Sequence, residues 1–288
     1  MRILPLAFAI ALLALRSPAA DSAPATSPAE KEDPVEAAVR ATAEAAAKKE
    51  AARQEMRTQQ KALVKLGDDP STTADAILIA EFEKFRAGEL PPGLWLELFE
   101  AAAKRKDPRL KEMVAAREQE ATKHDLVSQF RECLEGGDAE SGKQIFATWP
   151  QSGCIRCHKM NEEGGQIGPD LTTLHQTTER IYILESIVDP NAVITPGFQF
   201  VLLTLIDGTT ISGILNSETE DVLRLTSVID GKRGRVGASL VKERTPLPSA
   251  MPPGFGLVLG KRAVRDLVEF LATGPKDELL GKDATVQP

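Results

Sequence analysis

The apolar residues of this chain change their spacing after Pro196, and that change constrains the fold more than any other feature. Before it, large apolar residues recur at the three-and-four period of a helix face: Leu78, Phe82 and Phe85, then Leu94, Leu98, Ala101 and Ala102, then Leu110, Met113 and Val114, then Leu126, Phe130 and Leu134. Gly88, the turn "ELPPG", Pro108 and Gly136-Gly137 punctuate these runs. After Pro196 the period becomes two. "FQFVLLTLIDGTTISGILN" reads as strand, Asp207-Gly208 turn, strand, and "DVLRLTSVIDGKRGRVGASLVKERTPL" repeats the arrangement around Asp230-Gly231. Roughly five short antiparallel strands suffice for a small barrel or sandwich. Past the proline-rich "TPLPSAMPPGFG" the helical period returns, with Val264, Leu267, Val268 and Leu271 on one face and Gly274-Pro275 as its stop. The expected fold is mainly α, with a small antiparallel β unit inserted at about 198–245.

The amino terminus "MRILPLAFAIALLALRSPAA" has the form of a cleavable signal peptide over residues 1 to 19. Arg2 is its positive end, Ile3 to Leu15 an apolar run too short to span a bilayer, and Ser17-Pro18-Ala19 a small-residue cleavage site. An uncleaved anchor is the rival reading. Cleavage would leave 33 basic against 42 acidic residues, a charge of −9, which excludes a general nucleic-acid binder. No later apolar run is long enough for a membrane helix. The expectation is a mature protein with no integral membrane span, exported to the periplasm or the extracellular space. Residues 20 to 34, rich in Pro, Ala and Ser, form a disordered linker. Residues 35 to 66 are Ala, Lys, Glu and Gln with few large apolar positions, which predicts a long exposed helix, coiled-coil contact with another chain being the alternative. A helical region over 35–135, a second domain over 136–273 and a tail over 274–288 complete the organisation.

Within the second domain stands "SGCIRCHKM". Structural zinc needs four ligands, and Cys154, Cys157 and His158 supply at most three, with His175 the nearest further candidate. A redox dithiol is expected at a helix start after a strand, whereas the helical "DAESGKQIFATW" precedes this pair. C-x-x-C-H is the spacing of covalent haem attachment: two thiols add to the vinyl groups of one porphyrin edge, and the following histidine lies under the iron. A chance pair or plain disulfide is the bland alternative. One such motif predicts one covalent haem c, attached after export.

A sixth iron ligand must come from elsewhere. Met160 is too close to the anchor, while Met56 and Met113 lie in the helical region. Met251 remains, in a loop whose backbone Pro246, Pro248, Pro252 and Pro253 restrict. His175 is the rival ligand, placed at or near the start of the helix through Ile181 and Leu184, and a role for Met251 in merely capping the core is the plain alternative. Cys133, which shares a face with Phe130, reads as a small buried residue, with an intermolecular disulfide as the functional alternative.

With these residues in view, 138 to 273 resemble a class I cytochrome c domain carrying an insertion. More closely they resemble the CxxCH haem-binding domain of large secreted proteins of planctomycetes and verrucomicrobia. "GGDAESGKQIF", "CIRCHKM", "GGQIGPDLT", "ESIVDPNAVITPGF", "DGTTISGIL", "SAMPPG" and "DLVEFL" carry the likeness. It implies that Gly142 and Phe146 cross Leu267 and Phe270, that the Pro169 carbonyl accepts the proximal imidazole's N–H, and that Met251 is the distal ligand. It further implies an electron-transfer protein rather than an enzyme, accepting electrons from a redox partner such as a periplasmic dehydrogenase. A haem sensor or peroxidase-like protein with a labile or absent sixth ligand is the second reading, and an interaction protein with haem as a staple the third.

Overall fold

The computed structural model describes residues 33–148, 153–275 and 279. The expected signal peptide, nearly all of the linker and most of the tail lie outside them. The chain divides into two compact units, Met1–Lys48 and Lys49–Pro288. In the first, the described residues form the exposed start of helix α1 (Pro34–Asp68), which opens where Asp33 accepts the Val35 N–H at 2.8 Å. The linker's last residue, Pro34, is thus the first helical one, where its missing N–H costs nothing.

In the second unit, the rest of α1 buries Gln60, Leu63 and Gly67. Helix α2 (Thr72–Ala87) is capped by Ser71, whose Oγ takes the Ala74 N–H, and is stopped by left-handed Gly88. Helices α3 (Trp95–Ala103) and α4 (Pro108–Thr122) complete a bundle around Leu78, Phe82, Leu98, Ala102 and Leu110. The next element corrects the sequence reading. Leu126, Phe130 and Leu134 do not mark an α-helix; Val127–Cys133 is a 3-10 helix, and Leu126 is exposed. Three residues per turn align Val127, Phe130 and Cys133 instead, and all three are buried.

Helix α5 (Ala139–Thr148) leads to the one-turn α6 (Cys154–Cys157), the two-residue strands β1 (Lys159–Met160) and β2 (Glu163–Gly164), and helices α7 (Leu174–Thr177) and α8 (Arg180–Val188). Strands β3 (Gln199–Leu205), β4 (Thr210–Glu218), β5 (Val222–Thr226), β6 (Arg233–Gly237) and β7 (Val241–Pro246) then form one antiparallel sheet in the order β6-β5-β4-β3-β7. Val201, Leu203, Leu223, Leu225 and Val236 make a core of its own on one face. The Glu218–Arg244 ion pair shows that the sheet curls: Arg244 pairs with Leu203, whose β4 partner Ile211 lies seven residues before Glu218. The β unit is therefore a rolled, open sheet rather than two stacked ones.

Helix α9 (Phe255–Thr273) closes the chain, interrupted at Gly260, whose φ of 76° and ψ of 161° are not helical. It crosses α5 at Gly142, where a Cβ would lie 2.0 Å from the Asp266 carbonyl oxygen, so only glycine allows the approach. Phe146 packs on Phe270 with ring centroids 5.7 Å apart. No helix among the described residues is long and apolar enough to cross a membrane.

The opposite face of α9 is held to the helical bundle by charge. Arg265 forks onto Glu97 at 2.8 and 2.9 Å, and Arg262 reaches Glu97 and Glu100. Lys261 and Arg117 share Glu132, while Arg53 and Arg180 share Glu269. Glu97 and Glu132 are 1% and 2% exposed, so these carboxylates depend on their partners. Glu97→Ala should lower the unfolding free energy by about 3–5 kcal/mol in denaturant titrations, because it strands a buried guanidinium; adding Arg265→Ala should recover part of that loss. Cys133 is fully buried beside Lys261, whose carbonyl takes its S–H at 3.3 Å, and burial pushes its thiol up to about 12. Iodoacetamide at pH 8 should therefore leave Cys133 unlabelled in the native protein and label it in urea, as read by intact mass.

Candidate functional site

The CxxCH segment is a single helical turn between two breaks. Gly153 enters it in the left-handed region, the His158 N–H closes it on the Cys154 carbonyl at 2.9 Å, and His158 leaves it with extended backbone. Three residues apart on a helical turn, Cys154 and Cys157 face the same side, while Ile155 between them is sunk in the core with Phe146, Leu184 and Leu267. The helical α5 precedes the turn, which is the order that the redox-dithiol reading does not expect. Burial raises the Cys157 thiol, with the Arg156 charge opposing. A dithiol built for exchange needs the reverse shift.

The segment after the turn folds back beneath it. The β1–β2 hairpin reverses the chain through Asn161 and Glu162, both at positive φ. Three backbone N–H groups then fasten the returning strand, each at 2.8 Å: Gly165 to the Ile155 carbonyl, Gly168 to that of Cys157, and Leu171 to that of Lys159. This places the Pro169 carbonyl 2.9 Å from Nδ1 of His158. Nδ1 carries the proton and donates it, so Nε2 keeps its lone pair and is the nitrogen available to a metal. Burial holds the imidazole below its ordinary range, partly offset by that carbonyl, which favours the neutral form a metal requires.

Gly168 shapes the wall on which the ring rests. A Cβ there would lie 2.6 Å from Cε1 of His158 and 2.8 Å from Nδ1. The residue type, not only the backbone path, is therefore needed for the ring to lie where it does. The sequence pointed to Pro169 in "GGQIGPDLT" only through the resemblance and gave Gly168 no role, because a close approach of chain to ring is a tertiary fact.

The remaining candidates stand on other elements. Met251 occupies a half-buried bend, its N–H on the Ser249 Oγ at 3.2 Å, and the Ser249 N–H on Asn191 Oδ1 at 2.8 Å. Phe255 and Leu259, shortly after it, pack on the core that also takes Ile155 and Cys154. His175 does not start the helix through Ile181; it lies in the separate turn α7. Its ring is pressed against Gly274 at the far end of α9 from Met251, and its buried Nδ1 lacks a hydrogen-bond partner. His124 is exposed beside Glu120. Among the described residues no three His, Cys, Asp or Glu side chains cluster to hold a bare metal ion.

The donor set fits haem: two thiols on one face of one turn, then an imidazole with its far nitrogen spoken for. Gly168→Ala should cost about 1–3 kcal/mol in denaturant unfolding, because a methyl group forces the imidazole to move. Gly234→Ala, with open space around it, should be close to neutral by comparison.

Residues 139–203 match the family described as Cytochrome c. No curated protein matches the chain. The matched stretch contains Cys154, Cys157, His158 and Pro169 and ends before Met251. It supports a c-type cytochrome, a haem-binding electron-transfer protein with covalently bound haem c and with redox partners.

Proposed function

We propose that this chain, similar to cytochrome c over residues 139–203, is an exported carrier of single electrons with one haem c. In this reading Cys154 and Cys157 form the thioether bonds, His158 is the proximal ligand and Met251 the distal one. The observation that carries it is the 2.9 Å contact of Nδ1 of His158 with the Pro169 carbonyl, one residue behind a Cys-x-x-Cys turn. That contact orients the ring and makes it a better donor. The bound group would supply one-electron exchange at its edge; the protein contributes ligation, exclusion of water and a docking surface. The burial of Ile155 within the motif and of Met160 two residues after it supports the exclusion of water. A periplasmic dehydrogenase is the proposed electron donor, in keeping with the leader-like amino terminus.

Two measurements test this. Full-length protein matured alongside the haem-attachment machinery should give the pyridine haemochrome spectrum of a doubly thioether-linked haem and the mass of one added haem; colourless protein of unmodified mass would sink the reading. The oxidised protein should show a sulfur-to-iron charge-transfer band that Met251→Ala removes while leaving the haem attached. Ready binding of carbon monoxide by the reduced wild type would favour the sensor or peroxidase-like reading instead.

A further inference from the structure

We propose that the β unit braces the loop behind the proximal histidine, with Arg233 as a positioning residue acting through Gln166. This rests on the haem reading above and extends it to a part of the chain that the cytochrome c match leaves mostly uncovered.

The contacts form a short path. Arg233, the first residue of β6, donates from Nη2 to Gln166 Oε1. Gly231, in the β5–β6 turn, faces Ile167: a Cβ there would lie 3.9 Å from Ile167 Cγ1. Gln166 and Ile167 are followed at once by Gly168, against the imidazole, and Pro169, whose carbonyl receives Nδ1.

Both ends of the path are firm. The turn is closed by the Ser227 N–H on the Lys232 carbonyl at 2.9 Å and the Gly231 N–H on the Ser227 carbonyl at 3.0 Å. Beside it, Thr226 pairs with Arg233 in the sheet register and is buried, its hydroxyl on Asn216 Oδ1 at 2.6 Å. On the other side, the Gly165 and Gly168 N–H groups tie the loop to the Cys-x-x-Cys turn. Gln166 and Ile167 lie between those two ties, and the β unit bears on both of them from outside. A loop held from both sides keeps the Pro169 carbonyl at a fixed distance from the ring; released on one side, it lets that hydrogen bond lengthen.

The consequence has a sign. The Nδ1–H···O bond enriches the imidazole in electron density and so favours ferric iron. Weakening it should raise the midpoint potential. Loss of a nearby positive charge alone would lower the potential, so the direction separates bracing from simple electrostatics.

The test is a double-mutant cycle on the full-length holoprotein with Arg233→Ala, Gln166→Ala and both. Each single variant should raise the potential by less than tenfold in the reduction equilibrium, that is within about 59 mV for one electron. The double variant should go no further than the larger single one. The Gly168 amide, followed by hydrogen exchange, should exchange faster in all three. An unchanged or lowered potential in Gln166→Ala, additive single effects, or unaltered exchange at Gly168 would each overturn the proposal. Should the purified chain carry no haem, the functional reading fails, while exchange at Gly168 still decides whether the brace exists.

Discussion

The hydrogen bond from Nδ1 of His158 to the Pro169 carbonyl is the interaction on which the rest of this site depends. It requires the chain to reverse within a dozen residues and return under its own helical turn, closely enough for Gly168 to touch the ring. Each neighbouring feature serves that return. The hairpin through Asn161 and Glu162 makes the reversal, and three 2.8 Å backbone bonds hold the two layers together. Ile155 nails the turn to the core. A buried backbone group without a partner is costly, so this layering satisfies the turn's carbonyls and positions the imidazole at once.

Helix α9 is the second organising element, because two different kinds of packing meet on it. One face presents Val264, Leu267, Val268 and Leu271 to α5 and α8, with Gly142 allowing near contact of two backbones. The other presents Arg262 and Arg265 to carboxylates of the helical bundle and Lys261 to Glu132 of the 3-10 helix. The helical region from Lys49 onward is thus attached to the haem-binding candidate through the helix that completes its core. Buried ion pairs add little net stability over apolar packing, but a mismatched docking would strand Glu97 and Glu132, so they specify one arrangement.

The β unit has an internal core and an ion pair that draws the ends of β4 and β7 together, and it meets the site at the tip of one hairpin. An insertion built this way can be long without disturbing the helices around it. Its rigidity is local, and its influence passes through a few atoms at Gln166 and Ile167.

Much of this was legible from the amino-acid order. The helix faces, the change of period at Pro196, the turns at Asp207-Gly208 and Asp230-Gly231 and the Cys-x-x-Cys-His turn are local patterns, and local patterns follow from the period of the backbone. The match failed where two local readings compete: Leu126, Phe130 and Leu134 fit an α-helix, but Val127, Phe130 and Cys133 are the residues that a 3-10 helix buries. What only the tertiary structure decided is contact between distant positions. Arg265 on Glu97, Arg233 on Gln166, Gly142 under Asp266 and the curl that joins Glu218 to Arg244 join residues far apart in the chain. Periodicity says which face of an element is apolar; it does not say which charged side chain on a distant element will meet it, since that depends on how the elements close around a shared core.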